Sequence, residues 1–120
     1  MLEGTNLFDL GEEELDQLPF GLISVDRDGT IEQYNAYESR LARLSKERVI
    51  GRNFFRDVAP CTAVQAFMGR FNLFVDREGD ASESFDYVFP FTFGKQYVNI
   101  TFVRSSKDRR IKILINRYDE

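Results

Sequence analysis

The chain has no histidine and no tryptophan, and only one cysteine among its 120 residues. Without histidine, Cys–His and Ser–His nucleophile pairs are excluded, and most zinc chemistry goes with them. A lone cysteine forms no internal disulfide, so the fold does not depend on an oxidising compartment. An excess of positive charge is missing too. Lys and Arg number 16 against 20 Asp and Glu, a net charge of −4, which is not the footprint that nucleic acid or an acidic membrane surface requires. No apolar run is long enough to span a bilayer. Met1 to Asn6 has neither the basic start nor the apolar core of a signal peptide. A soluble cytoplasmic protein that is not an enzyme and binds no metal is the expectation.

What is abundant is phenylalanine, with twelve residues, and a core or a pocket has to account for them. The chain length fits a single core. Residues 1–7 read as a lead-in, and 9–17 as a short acidic helix docking through Leu10, Leu15 and Leu18 until Pro19 stops it. The acidic group Glu12, Glu13, Glu14 and Asp16 is explained by a charged helix start. Residues 21–26 and 30–34 read as two strands around Asp28-Gly29, a pair that supplies the positive φ of a hairpin turn. Asn35 is suited to cap a helix over 36–44, and Ser45 a short turn that Gly51 ends.

Further along, Thr62 is expected to cap the strongest helix. In it Val64, Phe67, Met68, Phe71, Phe74 and Val75 recur at the spacing of one buried face. From 83 to 93 the pattern alternates, with Phe85, Tyr87, Phe89, Phe91 and Phe93 on one side. Pro90 cannot donate to a ladder, which places this strand at an edge or a bulge. Two more strands follow, over 97–104 and 110–116. Arg104, Lys107, Arg109, Arg110 and Lys112 read as a solvated, charge-protected hairpin edge. The fold class is α+β: a central five-stranded antiparallel sheet with short helices and one longer helix packed on it. That layout is the PAS architecture by analogy.

Two segments carry a specific resemblance. One is Ile31-Glu32-Gln33-Tyr34-Asn35-Ala36 with Glu38 just after it. The other runs from Val49 through Gly51-Arg52-Asn53-Phe54-Phe55-Arg56-Asp57-Val58-Ala59 to Pro60-Cys61-Thr62. Together they closely resemble the photoactive yellow protein family, and the likeness covers most of the chain from Leu18 onward. The resemblance implies a blue-light photoreceptor with p-coumaric (4-hydroxycinnamic) acid held as a thioester on Cys61. Signalling would proceed by trans–cis isomerisation, proton transfer from Glu38 and partial unfolding. It also implies two parts, a helical cap over 1–17 that releases on signalling and a photoreceptor core over 18–120.

A free phenol titrates near pH 10, so a bound phenolate needs donors at its oxygen. Tyr34 and a protonated Glu38 would serve, and helical spacing would set them on one side. Phe54, Phe85 and Phe89 are expected as apolar walls around the ring. Where the family has a threonine supporting the tyrosine and an arginine screening the phenolate, this chain has Ala42 and Leu44. Arg40 or Arg43 are then the nearby cations, and Phe91 replaces a tyrosine of some members.

Taken singly, these residues have plainer explanations: an inert buried thiol for Cys61, a solvated helix residue for Glu38, sheet core for the phenylalanine row. The alternative function is a chromophore-free PAS-like interaction or dimerisation module. A cysteine enzyme is disfavoured because no base is available beside the thiol. The sequence holds no output domain, so an unidentified downstream signalling protein is the expected partner, with the chain itself a monomer or weak dimer.

Overall fold

The β1–β2 hairpin starts from one aspartate. Asp26 accepts hydrogen bonds from the backbone N–H groups of Asp28 and Thr30, each at 2.9 Å, which closes the turn between β1 (Gly21–Val25) and β2 (Ile31–Tyr34). Gly29 sits in this turn at φ 92°, and a Cβ there would collide with the Phe55 ring. The bare backbone lets the following segment lie against the hairpin. Phe54 N–H donates to the Gly29 carbonyl at 2.8 Å, and the Asn53 side chain donates to that of Asp28.

The computed structural model describes residues 7–118. Apart from Leu7, the lead-in expected at the N-terminus lies outside the described residues. After a 3-10 turn at Leu7–Asp9 come α1 (Glu12–Leu15) and the hairpin. Then follow α2 (Ala36–Ala42) and α3 (Lys46–Val49). A π-helical turn at Phe54–Val58 and a 3-10 turn at Pro60–Thr62 lead to a helical run. That run is π-helical over Gln65–Gly69 and α-helical in α4 (Arg70–Phe74). The chain ends in β3 (Ala81–Phe91), β4 (Gly94–Ser105) and β5 (Asp108–Arg117). The strands form one antiparallel sheet in the order β2-β1-β5-β4-β3. The expected α+β layout holds, and β3, which carries Pro90, is an edge strand as that residue required.

Helices and sheet enclose the main core on one face. Phe67, Phe71 and Phe74 meet Phe102 of β4 with ring centroids 5.6–5.8 Å apart, and Ile111, Ile113 and Ile115 of β5 point the same way. The opposite face carries a smaller cluster of Leu15, Leu18 and Leu22, with Leu7, Leu10, Phe20 and Leu114 beside it. The N-terminal segment therefore covers the side of the sheet remote from α2–α4.

Two local expectations are corrected. Thr62 does not cap the following helix: it is fully buried and its hydroxyl turns back to the Ala59 carbonyl at 2.6 Å, while Val64 occupies the N-cap position. Lys112 is not on a solvated edge. Its side chain points to the N-terminal face and is 1% exposed, with Nζ 5.2 Å from the centre of the Phe8 ring.

Candidate functional site

Glu38 is placed by its neighbour in sequence, Asn35. The Asn35 carboxamide oxygen accepts from Glu38 N–H at 3.1 Å and from Leu22 N–H at 3.0 Å. Its nitrogen donates to the carbonyls of Leu15 and Phe20. One buried side chain thus caps α2, holds β1 and fastens the N-terminal segment. Tyr34 ends β2 and Glu38 lies in the first turn of α2. The two are brought together by a strand, a cap and a helix start, not by one helical face as the four-residue spacing suggested. Tyr34 is 4% exposed and Glu38 2%. Gly21 leaves the room, because a Cβ on it would run into the Glu38 carboxylate.

Charge binds this end of the site together. Burial pushes the Tyr34 phenol far above its ordinary range, the Glu38 carboxylate pushes the same way, and Arg117 partly offsets both. Burial also pushes the Glu38 carboxyl up, while Arg117 pulls it down through hydrogen bonds and charge. That arginine is the residue sequence reasoning missed. Its Nη1 donates to Glu38 Oε1 at 2.8 Å and its Nη2 to Oε2 at 3.1 Å, a two-pronged contact with the arginine side chain 4% exposed. Nε donates to Gln96 Oε1 at 2.8 Å, and Gln96 in turn donates to the Leu41 carbonyl. The two cations expected near a bound phenolate lie over aromatic rings: Arg40 over Tyr37 and Arg43 over Phe93. The cation paired with Glu38 comes from the far end of the chain, 79 residues away.

Cys61 lies in the 3-10 turn between two π-helical segments, a geometry frequent at functional sites. Its thiol is partly buried, and desolvation pushes it above the ordinary thiol value. The Tyr87 hydroxyl donates to the Cys61 carbonyl at 2.6 Å. Tyr87 was a second omission, and its signal was the one hydroxyl in the alternating row between Phe85 and Phe89.

Cys61 packs against the apolar cluster that includes Tyr34, Phe54, Phe85 and Phe89. Phe67 joins them, with ring centroids 5.8 Å from Phe54, 5.3 Å from Phe85 and 5.1 Å from Tyr87. Phe89 meets Tyr87 at 6.0 Å and Phe91 at 5.5 Å. The expected residues thus share one aromatic core, with a thiol in its wall and a buried phenol–carboxyl–guanidinium group alongside. Among the described residues, no cluster of three or more carboxylates and thiolates could hold a metal. No helix among them is long and apolar enough to cross a membrane.

Comparison with known proteins places this architecture. Residues 15–110 match the family model for the PAS fold, so the class is a PAS domain, a sensory rather than an enzymatic family. Photoactive yellow protein of Rhodothalassium salexigens is 39% identical over 109 residues, covering 91% of this chain and 86% of that protein. Its counterpart in Halochromatium salexigens is 37% identical over 112 residues, covering 93% and 89%. The crystal structure of the photoactive yellow protein domain from the sensor histidine kinase Ppr of Rhodospirillum centenum superposes with a TM-score of 0.85 at 43% identity. That match covers 92% of this chain and 96% of that one. The chain belongs to the photoactive yellow protein family and is a PAS-type sensory photoreceptor.

Proposed function

We propose that this photoreceptor carries p-coumaric acid as a thioester on Cys61 and responds to blue light. The observation that carries the reading is the chemistry of one core. A single thiol packs against an aromatic cluster, and a buried tyrosine of that cluster lies close enough to a buried glutamate for the carboxylate to raise its phenol. The donor set fits the group: sulfur for the acyl bond, phenol and carboxyl for the ligand's phenolic oxygen, flat rings for the conjugated body. When bound, the group supplies blue-light absorption and trans–cis isomerisation.

The residues do the rest. Cys61 anchors the acyl carbon, and Tyr87 fixes the backbone that carries the thiol. Tyr34 donates its hydroxyl to the phenolic oxygen. Glu38 donates too while protonated, and its proton passes to that oxygen as the signalling step. Phe54, Phe85 and Phe89 exclude water. A carboxylate left behind in the core costs stability to the extent that Arg117, which bonds both of its oxygens, does not offset its desolvation.

The loosening this produces has a short route to the N-terminal segment. Asn35 binds both Glu38 N–H and the Leu15 carbonyl. Asp16 accepts from Ala36 N–H at 2.7 Å and pairs with Lys46 at 2.6 Å. Residues 1–17 act as the releasable cap and 18–120 as the core, and the freed surface engages a downstream signalling protein in the cytoplasm. The test is reconstitution. Activated p-coumarate added to purified protein is expected to give a yellow product that bleaches under blue light and recovers in the dark. A colourless protein would instead favour a chromophore-free docking module.

A further inference from the structure

The buried Glu38–Arg117 pair bears on what happens after Glu38 gives up its proton. A carboxylate stranded in a core with no partner disrupts its surroundings. Here a partner is already in place. Both Glu38 oxygens accept from Arg117, the arrangement suited to an ionised carboxylate. One edge of the guanidinium is anchored without Glu38, while its two terminal nitrogens are held by the carboxylate. Its Nε is fixed by Gln96, which is fixed by the Leu41 carbonyl. Its carbon lies 5.7 Å from the centre of the Tyr37 ring, and its backbone pairs with Val98 at the end of β5. The charge that bears on Glu38 is that of Arg117 from β5, and the Glu38 carboxylate in turn raises the Tyr34 phenol on β2. Arg40 is drawn to the Tyr37 ring.

We propose that Arg117 is a built-in counter-ion that takes over the Glu38 carboxylate once the proton has left, and so limits how much of the chain loosens in the signalling state. This rests on the reading of Glu38 as proton donor. In the step, the Glu38 O–H bond breaks and an O–H bond forms at the phenolic oxygen. The electron pair stays on Glu38, and its negative charge is met by the two Arg117 N–H groups. Arg117 is thus a positioning residue, since it acts through Glu38.

Two measurements test this. In the chromophore-free chain, the infrared carboxyl band of protonated Glu38, assigned by its loss in Glu38→Gln, is titrated with pH. Arg117→Met is expected to raise the midpoint by at least about one unit, a tenfold change in proton affinity. An unchanged midpoint would overturn the proposal. If Arg117→Met does not fold, Glu38→Gln decides: the Arg117 side-chain protons should exchange with solvent at least about tenfold faster than in the wild type, and equal rates would overturn the proposal. In the chromophore-loaded chain, illumination should increase amide exchange in α2 and α1 several-fold more in Arg117→Met than in the wild type. An equal increase would refute the limiting role. Failure of the thioester to form would count against the photoreceptor chemistry alone, because the chromophore-free titration would still decide Arg117.

Discussion

Two cations are buried on β5, five residues apart and on opposite faces of the sheet. Arg117 meets a carboxylate through two charged hydrogen bonds. Among the described residues Lys112 hydrogen-bonds to neutral partners, the Ser24 hydroxyl at 2.8 Å and the Gln33 carboxamide oxygen at 2.7 Å, beneath the Phe8 ring. Burial lowers the Lys112 ammonium to about 8, with Arg110 acting in the same direction and Asp108 against it. Equal burial therefore has unequal consequences. The paired cation can hold a charge inside the protein, whereas Lys112, with no ion pair among the described residues, is a standing cost beneath Phe8 of the N-terminal segment. The core face is built to manage charge, and the cap face merely tolerates it.

Breaking the paired side should show the largest effect. Arg117→Met is expected to cost about 3 kcal/mol in urea unfolding at pH 8, where Glu38 would be left charged and alone. The loss should be smaller at pH 5, because the freed carboxyl then takes up a proton and the buried charge disappears. A loss independent of pH would mean that packing, not charge, is at stake. Gly21→Ala comes next. Its new methyl group meets the Glu38 carboxylate, and overpacking of this kind costs about 1–3 kcal/mol. Wild-type stability in the substituted chain would show that the carboxylate is free to move.

The unpaired side should respond in the opposite sense. Lys112→Met removes a charge with no ionic partner among the described residues, while Ser24 and Gln33 keep their mutual 2.6 Å hydrogen bond. The variant should equal or exceed wild-type stability at pH 7. The wild type binds fewer protons at Lys112 when folded than when unfolded, between about 8 and the ordinary 10.5. Its melting temperature should therefore rise relative to the variant's across that window. A parallel pH dependence in the two chains would place the titration elsewhere. The smallest effect belongs to the exposed Arg109–Glu32 pair at 3.0 Å. Arg109→Ala should change stability by less than about 0.5 kcal/mol, and a larger change would mean surface pairs matter more here than usual.

Local chemistry made much of the fold legible. Asp28-Gly29, Asn35 and the alternation through Phe85, Tyr87 and Phe89 each act within a few residues, and each forms the expected element. Thr62 misled because a threonine before a helix can also bond back to its own turn, which the 3-10 geometry at Pro60–Thr62 allows. The apolar stripe was legible as core from Phe67 to Val75, but Val64, expected on the same buried face, is 46% exposed, and the first half is π-helical, which a three-and-four spacing does not distinguish. Lys112 and Arg117 were hidden for one reason: their environments are made by partners remote in sequence. An ordinary charged residue on an alternating strand looks the same whether it meets water, an aromatic ring or a glutamate. The family resemblance named Tyr34, Phe54, Cys61, Phe85 and Phe89, and these lie in or against one hydrophobic core. The cation that pairs with Glu38 was not legible, because Ala42 and Leu44 directed attention to Arg40 and Arg43.

The photochemistry proposed for this protein depends on where an acyl group attaches and what it then touches. The most direct measurement is peptide mass analysis of the protein after loading with activated p-coumarate, compared with Cys61→Ala treated identically. The prediction is one acyl group per chain, located on the peptide containing Cys61, absent from the variant, and accompanied by blue-light absorption. Acylation spread over lysines, or an unmodified Cys61 in folded protein, would contradict it.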